Sequence, residues 1–399
     1  MTTTQNLIQL QAGKTTVQFL KSGDIYEINH AGTMYNQVHT NMIDGSLNNI
    51  YLRKLENGKI KFFPLVGVQS QSALYQGDNQ LKWTGIAGGV EYEVIFSLTE
   101  DDCWFWEVHL QGNQVEVDVI YGQDVGLAGI GALQSNEAYV GQYIDHAVFK
   151  DEETGFTVCS RQNQPQSDNQ FPYFQQGSLT KNNGYSTDGF QFYGLSYKET
   201  NSPFALTQEN LANEIYQYEM AYTALQSEQV ELNGKATFVF YGFAAENHPL
   251  AITKVEYQEK IQQAWQELKE KDSSDFILQE TVKRAVNFGE PVQTESLTKT
   301  EITHLFPSRQ AEEYDGEQLL SFFTDREAHI VLKEKELQME RAHGHILLSG
   351  EHLTISDEII TTTSYMYGLF NAQVVLGNTS MNKLMSNARN ALNVMKTSG

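Results

Sequence analysis

The sequence predicts a mainly β protein. A large antiparallel β-sandwich is followed by a helical linker and a further strand-containing segment. Three observations lead there. From the N-terminus to about Ala251, apolar residues recur with a period of two. The 399-residue chain holds 20 Tyr and 21 Phe but only 7 Pro, a composition that suits pleated, half-buried surfaces. Near Ile252 the period becomes helical. These signals place the sandwich at 1–252, the linker at 253–289 and a loop plus β-rich segment at 290–399.

Within the sandwich, Val90, Tyr92, Val94, Phe96 and Leu98 share one strand face, with Glu91, Glu93 and Ser97 opposite. Val115, Val117, Val119 and Tyr121 alternate with Glu116, Asp118 and Ile120. Further strands are expected at 16–20, 49–53, 103–110, 156–160, 190–193, 215–221 and 237–243. Asn57-Gly58 and Asn233-Gly234 each sit between apolar runs and read as type I′ hairpin turns. The Gly-rich stretch 126–133 lacks the spacing of a phosphate loop and reads as a bend between strands. A span near 250 residues calls for more strands than the usual seven to nine.

After Ile252, the stretch ITKVEYQEKIQQAWQELKEK sets Val255, Ile261, Trp265 and Leu268 at helical spacing. An amphipathic helix is expected over 252–270. Asp272-Ser273-Ser274-Asp275 would stop it and cap a short helix at 276–288. Residues 289–325 are polar and acidic and read as a long loop, after which strand-like runs resume.

The net charge is −23, from 27 basic and 50 acidic residues. Such a surface repels nucleic acid and anionic membrane, so neither is expected as a partner. No run of 18 apolar residues occurs, and the N-terminus lacks the basic and apolar regions of a signal peptide. A cytoplasmic location follows as the expectation. Cys103 and Cys159, both in apolar runs, read as buried free thiols. The last 39 residues contain no Asp or Glu and carry +3, which leaves −26 on the first 360. Such a tail reads as a surface that is covered.

Motifs for self-contained catalysis are missing: no G-x-S-x-G, H-E-x-x-H, C-x-x-C or P-loop occurs. Fifty acids give no means of picking out a catalytic carboxylate pair. His343 and His345 share a strand face with Arg341, a set that could contact a sugar or an oxyanion; ordinary strand histidines fit equally well. A metal site would need further ligands, and none is assigned. Trp104 and Trp106 also share one face. Paired aromatics stack pyranose rings, and they also fill sandwich cores.

Three stretches carry a resemblance: VDVIYGQDVGLAGIGALQSNEAYVGQYIDH (117–146), HIVLKEKELQMERAHGHILLSGEHL (329–353) and TTTSYMYGLFNAQVVLGNTSMNKLMSNARNALN (361–393). As a set they resemble the N-terminal portion of the inverting glycoside phosphorylases, above all the bacterial beta-1,2-oligoglucan phosphorylases. Relatives of these include cellobiose phosphorylase and part of cyclic beta-1,2-glucan synthase. The resemblance implies a supersandwich of mutarotase-like type, a helical linker and then an (α/α)6 barrel. It implies a beta-glucan oligosaccharide and inorganic phosphate as substrates of the full-length protein, with no cofactor. The barrel, with its general acid, would lie beyond Gly399, so no catalytic residue is assigned. The chain alone is expected to be inactive, serving scaffold and carbohydrate-contact roles.

On that reading Arg341, His343, His345, Asn371 and Asn378 are candidates for contacting carbohydrate or phosphate. A homodimer is left open. Two alternatives remain. A free-standing carbohydrate-binding module would expose an aromatic platform at Trp104 and Trp106. A mutarotase-like epimerase would converge a His and a carboxylate on a concave sheet face.

Overall fold

The structure is a computed structural model that describes residues 7–41, 45–56, 58–195, 197–200, 202–271, 275–280, 300, 303–304, 306–324 and 329–331. The chain divides into two compact units, Met1–Arg284 and Ala285–Gly399.

The first unit is organised by one long strand, Cys103–Asp124. Its first half lies between Val90–Leu98 and Val230–Ala245. Its second half lies between Asn49–Glu56 and Ala221–Ser227. One layer therefore runs Ile144–Asp151, Gly155–Gln162, Tyr173–Ser178, Val230–Ala245, Cys103–Asp124, Val90–Leu98, Gln80–Ala87, Ala73–Gly77 and Ile277–Leu278. The other runs Lys59–Pro64, Asn49–Glu56, Cys103–Asp124, Ala221–Ser227 and Asn182–Asp188. All of these pairings are antiparallel, as the alternating pattern required.

The switch between layers is made by a β-bulge. The register with Val230–Ala245 shifts between Asn113 and Val115, and Gln114 adopts φ 54°. The backbone N–H of Gln114 donates to Asn233 Oδ1 at 3.2 Å. Side chains alternate along a strand, so one extra residue inverts their parity. Trp104, Trp106, Val108 and Leu110 face the core before the bulge; Val117, Val119 and Tyr121 face the same core after it. The layers meet through these residues. Trp104 Nε1 donates to the Tyr121 hydroxyl at 3.1 Å, and the rings of Trp106 and Tyr121 lie 6.1 Å apart.

This bulge corrects the reading of Asn233-Gly234. It is no hairpin turn but lies inside Val230–Ala245, opposite Asn113 and Gly112. Gly234, at φ 115°, lets the partner strand follow the bend. The reading of Asn57-Gly58 fits better: Glu56 and Lys59 are paired across it and Gly58 has φ 72°.

Both outer faces are partly covered. The helix Gln258–Glu270 buries Ile261 and Ala264 against Cys103, Phe105, Cys159, Tyr173, Tyr241 and Phe243. Lys260 and Lys269 tie its two ends to Asp102 at 2.9 Å and to Glu107 at 2.6 Å. On the other layer Phe192, Tyr193, Leu206 and Leu211 cover Tyr51, Ile120, Tyr222 and Ala224. A four-stranded meander, Ile8–Ala12, Thr15–Phe19, Ile25–His30 and Thr33–Met34, adds Val17, Phe19, Ile25 and Ile28 to the main core.

Several expected elements differ. Residues 190–193 are helical, because Asp188 caps Gly189–Tyr193 by accepting the Gln191 N–H at 3.0 Å. The expected strand at 215–221 is irregular until Ala221. The Gly-rich stretch leads into a helix, Ile130–Gly141, broken at Asn136. The linker helix starts at Gln258 rather than 252, since Tyr257 sits at φ 43°. Within the expected second linker helix, Ile277–Leu278 instead pairs as a strand with Ala73–Gly77.

In the second unit, Arg309–Asp315 and Gln318–Thr324 form a hairpin through Gly316, and His329–Val331 pairs beside it. Phe322 is buried there, 5.2 Å from the Phe306 ring. This hairpin replaces the end of the expected loop at 289–325. Glu312, Glu313 and Tyr314 point outward, which is why the stretch looks polar in the sequence.

Candidate functional site

The tryptophan pair is placed first by the structure. Trp104 and Trp106 are 0% and 1% exposed. They do share a face, but it is the inner one. Trp104 stacks on Phe174 with ring centroids 5.6 Å apart and planes 7° from parallel; Trp106 packs on Phe96 at 4.8 Å. Neither can act as a platform for a sugar, so the core-filling alternative holds. Arg341, His343, His345, Asn371 and Asn378 lie outside the described residues.

The cysteines are free and buried. Burial pushes the Cys159 thiol up to about 12 and holds the Cys103 thiol well above its ordinary range. Neither is a nucleophile near neutral pH. Among the described residues no group of three or more His, Cys, Asp or Glu could hold a metal ion.

Histidine–carboxylate contacts, the feature an epimerase would need, are spread over separate elements. His30 Nδ1 lies 3.7 Å from Asp102 but is buried, and it shares a hydrogen bond with Thr15. His39 Nε2 is 2.8 Å from Glu27 and stacks on Tyr26. His109 is 3.8 Å from Glu107, whose carboxylate is held by Lys269. These contacts do not converge on one sheet face.

The sandwich surface offers polar grooves. One of about 590 Å³ lies over the bulge, lined by Lys54, Glu56, Asn113, Gln114, Glu116 and Glu231. Another of about 480 Å³ is lined by Glu91, Glu93, His109, Gln111, Lys235 and Thr237. Both present hydrogen-bonding side chains.

Exposed aromatics gather elsewhere, and sequence reading missed them. Tyr139 and Tyr143 lie at the end of the helix Ile130–Gly141 and just past it; Tyr216 and Tyr218 lie in the irregular segment before Ala221. The i, i+4 spacing of Tyr139 and Tyr143 is the signal that could have found the first pair. It stays hidden because no helix is expected at these positions, and the Gly-rich stretch 126–133 just before them reads as a bend between strands.

The model of the SOGP N-terminal domain matches residues 18–242, more than half of the chain. The chain belongs to this family. A second SOGP-type model, the glycoside phosphorylase supersandwich domain, matches residues 306–399. The chain is 37% identical over 394 residues to the 1,2-beta-oligoglucan phosphorylase of Listeria innocua serovar 6a (strain ATCC BAA-680 / CLIP 11262). That alignment takes in 98% of this chain and 35% of the relative, so the SOGP chain spans about a third of that protein. Among solved structures it is similar, at TM-score 0.35 and 8% identity, to a GalM/aldose epimerase homologue from C. elegans, over 61% of this chain and 99% of that one. It is also similar, at TM-score 0.29 and 10% identity, to a putative kojibiose phosphorylase from the human microbiome, over 66% of this chain and 32% of that one. Both scores are low. No helix among the described residues is long and apolar enough to cross a membrane.

Proposed function

We propose that this chain is the sandwich region of a glycosyltransferase-type glycoside phosphorylase acting on beta-1,2-linked gluco-oligosaccharides in the cytoplasm. The observation that carries the reading is the 37% identity, over nearly the whole chain, to a 1,2-beta-oligoglucan phosphorylase. In the proposed reaction, inorganic phosphate attacks the anomeric carbon as the glycosidic C–O bond breaks. A carboxylic acid protonates the leaving oxygen, and alpha-glucose 1-phosphate forms with inversion. Phosphate stands where an inverting hydrolase would place a base-activated water, so one catalytic carboxyl suffices.

The chemistry is proposed to reside in the part of such a phosphorylase that this chain does not span. The chain supplies scaffold and carbohydrate contacts, with Arg341, His343, His345, Asn371 and Asn378 facing carbohydrate or phosphate. The described grooves support a binding role, since their carboxylates and amides are hydrogen-bonding groups.

The test is a phosphorolysis assay with beta-1,2-gluco-oligosaccharides and inorganic phosphate. Glucose 1-phosphate is expected from the chain extended to the relative's length and not from the 399 residues alone. Release by the 399-residue chain overturns the scaffold role. No release from the extended protein overturns the phosphorylase reading.

A further inference from the structure

We propose that Tyr139, Tyr143, Tyr216 and Tyr218 form an accessory binding surface for a neutral, hydroxyl-rich oligosaccharide. The proposal rests on the reading of a carbohydrate-active protein given above. It concerns side chains other than the buried tryptophans.

The four rings are 46%, 38%, 42% and 58% exposed. Tyrosine suits a sugar because its ring meets the apolar face of a pyranose while its hydroxyl bonds a neighbouring one. It also brings contact area at low conformational cost.

The backbone that carries the rings is fixed in place. Asn136, at φ −165° and ψ 80°, interrupts the helix, and its side chain accepts the Tyr139 N–H at 3.0 Å. The Tyr139 and Tyr143 rings then meet edge-on at 5.1 Å, and the Tyr143 hydroxyl donates to that of Tyr139 at 3.1 Å. Tyr216 donates to Glu214 at 3.0 Å. The two segments are stitched together by Gln217, which donates to the Gln142 carbonyl at 2.9 Å. Gln37 adds bonds to the carbonyls of Glu137 at 3.0 Å and Glu219 at 2.9 Å. A surface ordered before binding loses less entropy on binding.

The charge selects the ligand. Glu137, Glu214 and Glu219 are exposed around the rings, while no Lys or Arg occurs in 129–146 or 203–234. Phosphorylated ligands and nucleic acid are repelled. A second copy of the chain brings the same −23 charge and is disfavoured too. Sugar hydroxyls, in contrast, are donors that carboxylates and amide oxygens accept.

The experiment is calorimetric titration of the intact chain with beta-1,2-, beta-1,3- and beta-1,4-linked gluco-oligosaccharides. It is repeated with Tyr139→Ala/Tyr143→Ala and with Tyr216→Ala/Tyr218→Ala, with thermal unfolding and light scattering alongside. Saturable binding is expected, weakened by about tenfold or more in each double variant, with an unchanged thermal midpoint. The variants Tyr139→Phe and Tyr216→Phe should fall between, since they keep the ring. No saturable binding of any probe, or binding unchanged in both double variants, overturns the proposal. So does a dimer that the substitutions dissolve. Binding of beta-1,4- but not beta-1,2-linked probes upholds this surface while overturning the substrate proposed above.

Discussion

Arg53 holds Asp118 with two parallel hydrogen bonds on the outer face of the second layer, beneath the segment that covers it, Nε to Oδ1 at 2.7 Å and Nη2 to Oδ2 at 2.6 Å. Their side chains are only 3% and 6% exposed. The pair bridges neighbouring strands, and Arg53 also donates to the carbonyls of Gln208 and Glu209, pinning the segment that covers the outer layer. Asp118→Ala leaves a buried guanidinium with half its partners. The expected loss is about 3–5 kcal/mol of stability by chemical denaturation. Arg53→Met with Asp118→Leu should recover much of it, because no uncompensated charge remains; a double variant as unstable as the single one would contradict this.

Gly242 stands opposite Trp104 in the ladder, and a Cβ there would come within 2.2–2.4 Å of the indole. Gly242→Ala should destabilise by about 1–3 kcal/mol through overpacking. Trp104→Leu in the same chain should relieve part of that cost. The unfolding midpoints of the two single variants and the double variant provide the check.

Asp124 is buried and accepts the backbone N–H groups of Gln37 at 2.7 Å and Val38 at 3.0 Å. Desolvation still wins, raising the carboxyl from its ordinary 3.8 to about 6. The folded state thus holds a proton that the unfolded chain has released. The stabilisation is full below about 3.8 and is lost as pH rises through about 6. Asp124→Asn keeps an acceptor for both amides and removes the titration. Stability of the native chain relative to this variant should fall by up to about 3 kcal/mol between pH 4 and pH 7. A difference that stays flat with pH would rule this out.

Cys103 and Cys159 offer a simpler check. Their thiols are desolvated, so a disulfide reagent near pH 8 should titrate neither in the folded chain. Both should react once guanidinium unfolds it. Rapid native labelling of either would show that its cover opens.

The strands were legible in the sequence wherever one face was buried. Val90, Tyr92, Val94, Phe96 and Leu98 all lie in the core, as their alternation required. Most exceptions come from long-range pairing that a local pattern does not carry, and one from a local cap. Asn233-Gly234 looks like a turn because the turn signal records only a need for unusual backbone angles, and a bulge needs the same angles. Phe190 to Tyr193 looks like a strand because its aromatics hide the cap at Asp188. Trp104 and Trp106 were correctly put on one face, but which side of the sheet that face takes is set by partner strands far away in sequence. The family was legible in long, specific strings, whereas the exposed tyrosines were not, since exposure depends on what fails to pack against them.

The extra residue at Gln114 also constrains how this chain can change over generations. Elsewhere on the surface, as at Gly316, a gain or loss of one residue alters only a turn. At position 114 the loss of one residue would send Val117, Val119 and Tyr121 outward and bring Asp118 and Ile120 into the core. Position 114 thus keeps a reading frame for the fold. Sensitivity to substitution should follow even-numbered positions up to Gly112 and odd-numbered ones from Val115 onward, a slip of phase that a single-residue mutational scan of 103–124 would show.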